Sequence, residues 1–252
     1  MNCSVKTRLR QGLPCIGAWS TVPAPAVAEA MAACGFHWLA VDLEHSAIDS
    51  ADVLAIFLAA ERHGVAPFVR LPCADPYLGR RYLDSGAAGL IVPVVDSAAA
   101  FRDFAQHCFY APLGRRGACL SRANGWGDQF DAYNRDFQPV LVPQIESRAG
   151  IADVDAIASL DCVDALFIGP YDLSADLGTP GQFDTPQMQT AMSQVLDACF
   201  RHGKAPGLHQ VAPDPQALQA RIKDGYRFIA YATDMVAMRA ALGRPLSLVQ
   251  GS

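Results

Sequence analysis

Apolar positions along this chain alternate between two patterns: short continuous runs, and longer segments in which apolar residues recur every three or four positions. The first pattern suits strands buried on both faces and the second suits amphipathic helices. Runs at residues 16–19, 36–41, 66–69 and 89–94 predict four strands, and segments 25–34, 50–63, 75–84 and 97–107 predict the helices that follow them. Gly35 and Gly64 stand at helix stops, while Asp75 and Pro76 offer an N-cap and a first-turn proline. Residues 110–137, rich in Gly, Arg and aromatics, read as a long excursion with a short helix near 129–134, and such connections are usually functional or interfacial. Beyond it come strands at 140–146, 163–169, 204–208 and 227–231, with helices at 152–160, 185–202, 215–224 and a closing one at 235–242. Eight strand and helix units in 252 residues, with no linker to mark a second domain, predict an α/β chain folded as one (β/α)8 barrel. A doubly wound open sheet is the competing architecture, but the glycine-rich nucleotide loop expected after its first strand is missing.

Composition narrows the function. At 51% hydrophobic and 18% charged residues, the chain can bury a large core. A net charge of −5 provides no basic footprint for nucleic acid. No apolar run reaches the length of a membrane span, and residues 1–12 lack the apolar segment of a secretory signal. The eight cysteines are scattered without a CxxC pair, so reduced thiols in a cytoplasmic protein are expected rather than disulfides or a zinc site.

The polar residues at the predicted strand exits are Trp19, Asp42 with Glu44 and His45, Arg70, Gln144 with Glu146, Asp172, and His209. In a barrel these share one rim, the end where chemistry sits. Glu146 and Asp172 leave adjacent strands, and two carboxylates side by side call for a cation, a shared proton or a solvated surface. Lysine imine chemistry is disfavoured, because Lys6, Lys204 and Lys223 all lie away from strand exits. The stretches after the last two strands also lack the glycine-rich turns of a phosphate site. A 2-oxoacid fits better: Arg70 would hold its carboxylate, and Glu146 with Asp172 would hold Mg²⁺ or Mn²⁺ to stabilise an enolate. His45 would move the proton, since imidazole titrates near neutrality. Each residue has a plainer alternative. Glu146 could pair with Arg70 or Arg148, Asp172 could cap a helix, Asp84 could be a helix-end acid, and Arg115 and Arg116 could be surface or interface charges.

The motifs DLEH (42–45), VRLP (69–72), GAAGLIVPVV (86–95), PLGRRG (112–117), QIES (144–147) and FIGPYDLSADLG (167–178), in this order, resemble the HpcH/HpaI class II aldolases. The resemblance spans nearly the whole chain. It implies a barrel of the phosphoenolpyruvate/pyruvate superfamily that uses a divalent cation (Mg²⁺, Mn²⁺ or Co²⁺). Its reaction would be reversible cleavage of a 4-hydroxy-2-oxoacid to pyruvate and an aldehyde. His45 would be the general base with Asp84 raising its basicity, and Arg70 would stabilise the transition state. Gln144 would contact substrate, Glu146 and Asp172 would bind metal, and the backbone at Tyr171 and Asp172 would meet the pyruvate carboxylate. A hexamer built as a trimer of dimers that exchange the helix at 235–242 is also implied. Two positions depart from the pattern: Tyr171 replaces a small residue, and His209 replaces an aliphatic one near the aldehyde pocket, where Trp19 and residues 120–126 would also set specificity. Condensation of an enolate with a thioester, as in siderophore citrate formation, and a catalytically silent barrel are the competing functions.

Overall fold

Eight strands, each parallel to both neighbours, close into a barrel in the order of the chain. The computed structural model describes residues 4–248; Cys3 lies outside them. The strands are β1 (Cys15–Ser20), β2 (Trp38–Asp42), β3 (Ala66–Arg70), β4 (Gly89–Val92), β5 (Val140–Ile145), β6 (Ala165–Ile168), β7 (Ala205–Gln210) and β8 (Phe228–Thr233). The helices are α1 (Val5–Arg10), α2 (Pro25–Ala32), α3 (Ser50–Arg62), α4 (Pro76–Asp84), α5 (Ala98–Gln106), α6 (Phe130–Asp136), α7 (Arg148–Ala152), α8 (Val154–Ala158), α9 (Pro170–Asp176), α10 (Pro186–His202), α11 (Pro215–Lys223) and α12 (Asp234–Leu242).

Alternation along each strand sends one set of side chains into the lumen and the other towards the helices. The lumen holds Trp19, Trp38, Phe68, Phe167 and Phe228, with Trp38 stacked on Phe228 at 4.3 Å. Glycine makes this aromatic filling possible. A Cβ at Gly17 would lie 2.0 Å from the Trp38 ring, so no larger residue fits opposite it. The outward set, including Leu39, Val69, Leu90, Leu141 and Ile229, forms the second core beneath the helices.

The pattern of apolar runs predicts no element before residue 16. The amino end forms α1 instead, capped by Ser4, whose hydroxyl accepts from the Thr7 N–H. Val5 and Leu9 of α1 bury against the lumen residues and stop the amino-terminal end of the barrel. Lys6 donates to the Pro139 carbonyl and to Asp164, both at 2.8 Å, and burial pushes its amine below the usual lysine range. Lys6→Met would leave the buried Asp164 carboxylate without its cation, so a urea melt should show a loss of about 3 kcal/mol. Turnover should be unchanged, because the substitution lies at the end of the barrel opposite the strand exits.

Three other expectations shift. The helix predicted at 152–160 is two short ones, α7 and α8, separated at Asp153, whose carboxylate leaves the helix axis to accept from the Ala98 N–H at 2.6 Å. The apolar run 89–94 stops being a strand at Val92, and Val94 adopts φ 51°, a left-handed conformation that a β-branched residue seldom takes. Strand β7 runs on to Gln210, which sets His209 inside the strand rather than beyond it. None of the described cysteines forms a disulfide. No described helix is long and apolar enough to cross a membrane.

Candidate active site

The strand exits surround a cavity of about 440 Å³ lined by Trp19, Thr21, Asp42, His45, Arg70, Gln144, Gly169, Tyr171, Asp172 and His209, among others. Register explains part of the gathering. Asp42, last in β2, is paired with Arg70, last in β3, so acid and guanidinium meet across neighbouring strands. Arg70 Nε donates to Asp42 Oδ1 at 2.9 Å and Nη2 to Oδ2 at 2.6 Å, a two-point clamp that fixes the guanidinium plane. The guanidinium carbon lies 4.5 Å from the centre of the Trp19 ring. Arg70 Nη1 is 3.3 Å from Glu44 Oε2, a charge contact without hydrogen-bond alignment.

Asp42 does more than hold Arg70. Its Oδ1 also accepts from the backbone N–H groups of Glu44 and His45, at 3.1 and 3.2 Å. One carboxylate therefore shapes the loop that carries the histidine. Sequence reading placed Asp42 on the rim but assigned it no role; its available signal was an acid two residues ahead of a Glu-His pair at a strand end. Asp42→Asn should lower kcat/KM about 10²-fold, measured by steady-state kinetics, because the amide can no longer receive both guanidinium edges and the two loop N–H groups.

Glu146 follows β5 directly and is only 5% exposed. Its Oε1 accepts from the Val94 N–H at 2.6 Å, and its Oε2 accepts from the Gln144 amide. The turned backbone of Val94 thus serves a purpose: it aims an N–H at this carboxylate. Burial pushes the Glu146 carboxyl above its usual range against those two hydrogen bonds, and the negative charges of Glu44 and Asp172 add to the rise. Glu44 is raised too, first by burial and then by Asp42 and Asp172, with Arg70 opposing. Among the described residues, no Lys, Arg or His forms an ion pair with Glu146 or Asp172, so the pairing of Glu146 with Arg70 or Arg148 does not occur.

Asp172 lies not at the bare strand exit but in the first turn of α9, whose N-cap is Gly169. Gly169 is the residue that sequence reading overlooked. A Cβ there would come within 2.3 Å of Glu146 Oε2 and 2.9 Å of Glu146 Cβ, so only glycine lets the carboxylate sit where it does. The Tyr171 ring is 56% exposed and packs edge-on against Phe183 at 5.0 Å. His45 is largely exposed at the cavity mouth, with Nε2 3.7 Å from Glu44 Oε2.

Asp84 and His45 do not meet within one chain: α4 runs from the exit of β3 back to the start of β4, which puts Asp84 at the opposite end of its own barrel. There it accepts from Arg116 Nη2 at 2.6 Å and borders a separate cavity with Tyr77, Arg80 and Trp126. Arg116, read from the sequence as a surface or interface charge, has a side chain with no exposure and sits 4.5 Å from the Tyr110 ring, which ties the excursion to α4. Arg115 is the exposed one, paired with Asp103.

A closed parallel barrel with its charged groups collected at the carboxyl mouth defines a (β/α)8 enzyme. Residues 15–241 match the HpcH/HpaI aldolase/citrate lyase family, so the chain belongs to that family. Hydroxypyruvate/pyruvate aldolase of Roseobacter denitrificans is 34% identical over 246 residues, covering 96% of this chain and 94% of that protein. A solved HpcH/HpaI aldolase/citrate lyase family protein from Burkholderia cenocepacia superposes with a TM-score of 0.90 at 34% identity, covering 98% of both chains. Citrate synthase SbnG superposes with a TM-score of 0.85 at 25% identity, again over 98% of both chains. The protein is accordingly a carbon–carbon lyase of the aldolase kind.

Proposed function

We propose that this enzyme is a divalent-metal-dependent class II aldolase that reversibly cleaves a 4-hydroxy-2-oxoacid to pyruvate and an aldehyde. The observation that carries this reading is Arg70, clamped by Asp42 on a cavity that also holds Asp172, with Glu146 beside it and, among the described residues, neither acid paired to a cation. The donor chemistry suits a hard cation: Glu146 feels the negative charge of Asp172, and Gln144 Oε1 is a buried oxygen without a hydrogen-bond partner, although among the described residues no three acidic, His or Cys side chains are grouped to hold a metal by themselves. Glu146 and Asp172 would hold Mg²⁺, Mn²⁺ or Co²⁺, which when bound supplies Lewis-acid stabilisation of negative charge on the substrate's 2-oxo oxygen.

The chain's own residues account for the remaining steps. The backbone N–H groups of Tyr171 and Asp172, left without helical acceptors in the first turn of α9, receive the substrate carboxylate. His45 takes the proton from the 4-hydroxyl; the C3–C4 bond breaks, C4 becomes the aldehyde carbonyl, and the electron pair passes to C3 as the pyruvate enolate. Arg70, whose plane cannot rotate away from Asp42, donates to the oxygen on which that charge grows. His45 then returns the proton to C3, which completes pyruvate and restores the base. Gln144 holds Glu146 in place through its amide. Asp84 would serve His45 from a neighbouring subunit, in a hexamer of dimers that exchange α12. That helix buries Asp234 and leaves Met235, Met238 and Leu242 exposed.

Pyruvate release from a panel of 4-hydroxy-2-oxoacids, coupled to lactate dehydrogenase, tests the reading directly. Activity should vanish with EDTA and return with Mg²⁺, Mn²⁺ or Co²⁺; cleavage that ignores EDTA would sink the metal-dependent mechanism. The likeness to citrate synthase SbnG supports a second reading, in which the enolate attacks a thioester. Release of free coenzyme A without aldol cleavage would favour that branch.

A further inference from the structure

The cavity contains polar atoms that the cleavage chemistry leaves unused. Trp19 is 1% exposed and lines the cavity, yet its indole Nε1 has no hydrogen-bond partner. His209, which meets the Trp19 ring edge-on at 5.9 Å and lines the same cavity, has a buried Nε2 that is likewise unpartnered. An unsatisfied buried donor costs its full desolvation free energy, so a pair of such atoms on one cavity wall is an arrangement for a ligand to complete. Their chemistry specifies the ligand. Indole N–H only donates, whereas a neutral imidazole nitrogen donates or accepts according to its tautomer. Burial, assisted by the Arg70 charge, pushes His209 down to about 4, so this wall is uncharged at neutral pH. Among the residues lining the cavity, Arg70 is the one fixed cation, and it is already engaged by Asp42 and Glu44. A second carboxylate on the substrate would therefore meet acidic side chains and a neutral wall with no cation of its own. Thr21 and Thr233, also on the cavity, are each already anchored to the start of α12: the Thr21 hydroxyl donates to Asp234, and the Thr233 hydroxyl accepts from the Val236 N–H.

We propose that Trp19 and His209 form an uncharged hydrogen-bonding subsite for a hydroxyl group on the aldehyde half of the substrate, selecting hydroxylated, uncharged aldehydes over plain aliphatic and carboxylated ones. This rests on the aldolase reading above and names the substrate class of the same site. Condensation of pyruvate with glycolaldehyde, propanal and succinic semialdehyde, measured as kcat/KM for each, tests it. Wild type should favour glycolaldehyde over both others by about tenfold or more. Trp19→Phe keeps an aromatic ring but removes the N–H, and His209→Leu keeps bulk but removes the imidazole. Each should collapse the glycolaldehyde-to-propanal ratio towards one, with His209→Gln retaining part of it. A wild-type preference for propanal or succinic semialdehyde, or a ratio unmoved in both Trp19→Phe and His209→Leu, would overturn the subsite and leave the aldolase standing. Absence of condensation with every aldehyde would overturn both. Because the wild-type ratio alone can contradict the proposal, it stays testable even if a variant fails to fold.

Discussion

Glu146→Ala should reduce metal-stimulated pyruvate release by about 10³-fold, equivalent to roughly 4 kcal/mol of transition-state stabilisation. The carboxylate is buried, held by the Val94 N–H and the Gln144 amide, and faces no cation from the described part of the chain. The variant should also lose the rise in melting temperature that Mn²⁺ gives the wild type, since ligand binding stabilises by mass action. The net effect on folding should be small: removing the buried acid relieves a desolvation cost, which offsets the Val94 N–H and Gln144 amide left without their acceptor. An unchanged rate in Glu146→Ala would remove this residue from the reaction, and a retained Mn²⁺ shift would remove it from the metal site.

Gly169→Ala should cost about 10²-fold in kcat/KM although the added methyl group touches no substrate. The new Cβ would need the space now held by Glu146 Oε2 and Cβ, at 2.3 and 2.9 Å, so the carboxylate must move by more than a few tenths of an ångström. Glu146→Asp in the Gly169→Ala background is the informative companion, because a shorter side chain frees that volume. The double variant should lose less than the product of the two single losses, and multiplicative losses would mean that the sites do not interact.

The barrel and the rim residues could be read from the sequence because they depend on local signals: apolar runs, helix stops and a polar residue at each exit. What could not be read depends on contacts between distant segments. Asp42 and Arg70 are joined only by the register of β2 against β3. The demand for glycine at position 169 arises from a side chain leaving the neighbouring strand. The early end of β4 did have a local signal, since Pro93 directly follows Val92 and has no N–H for the ladder; what the sequence hides is that the Val94 N–H beyond it meets the Glu146 carboxylate arriving from β5. The separation of Asp84 from His45 within one chain was hidden for a related reason: motif order places residues along the chain, while the direction of α4 decides which end of the barrel they reach. Arg116 looked like a surface or interface charge because nothing in PLGRRG announces that Tyr110 and Asp84 of its own chain will enclose it.

The aromatic filling of the lumen and the seal made by Val5 and Leu9 also determine traffic. The barrel is a blind well, so whatever enters at the carboxyl mouth must leave by the same opening. The two products of an aldol cleavage would therefore share one doorway, and neither could be handed through the barrel to an enzyme docked at the far end. Any downstream partner must collect its substrate at the mouth or from bulk solvent.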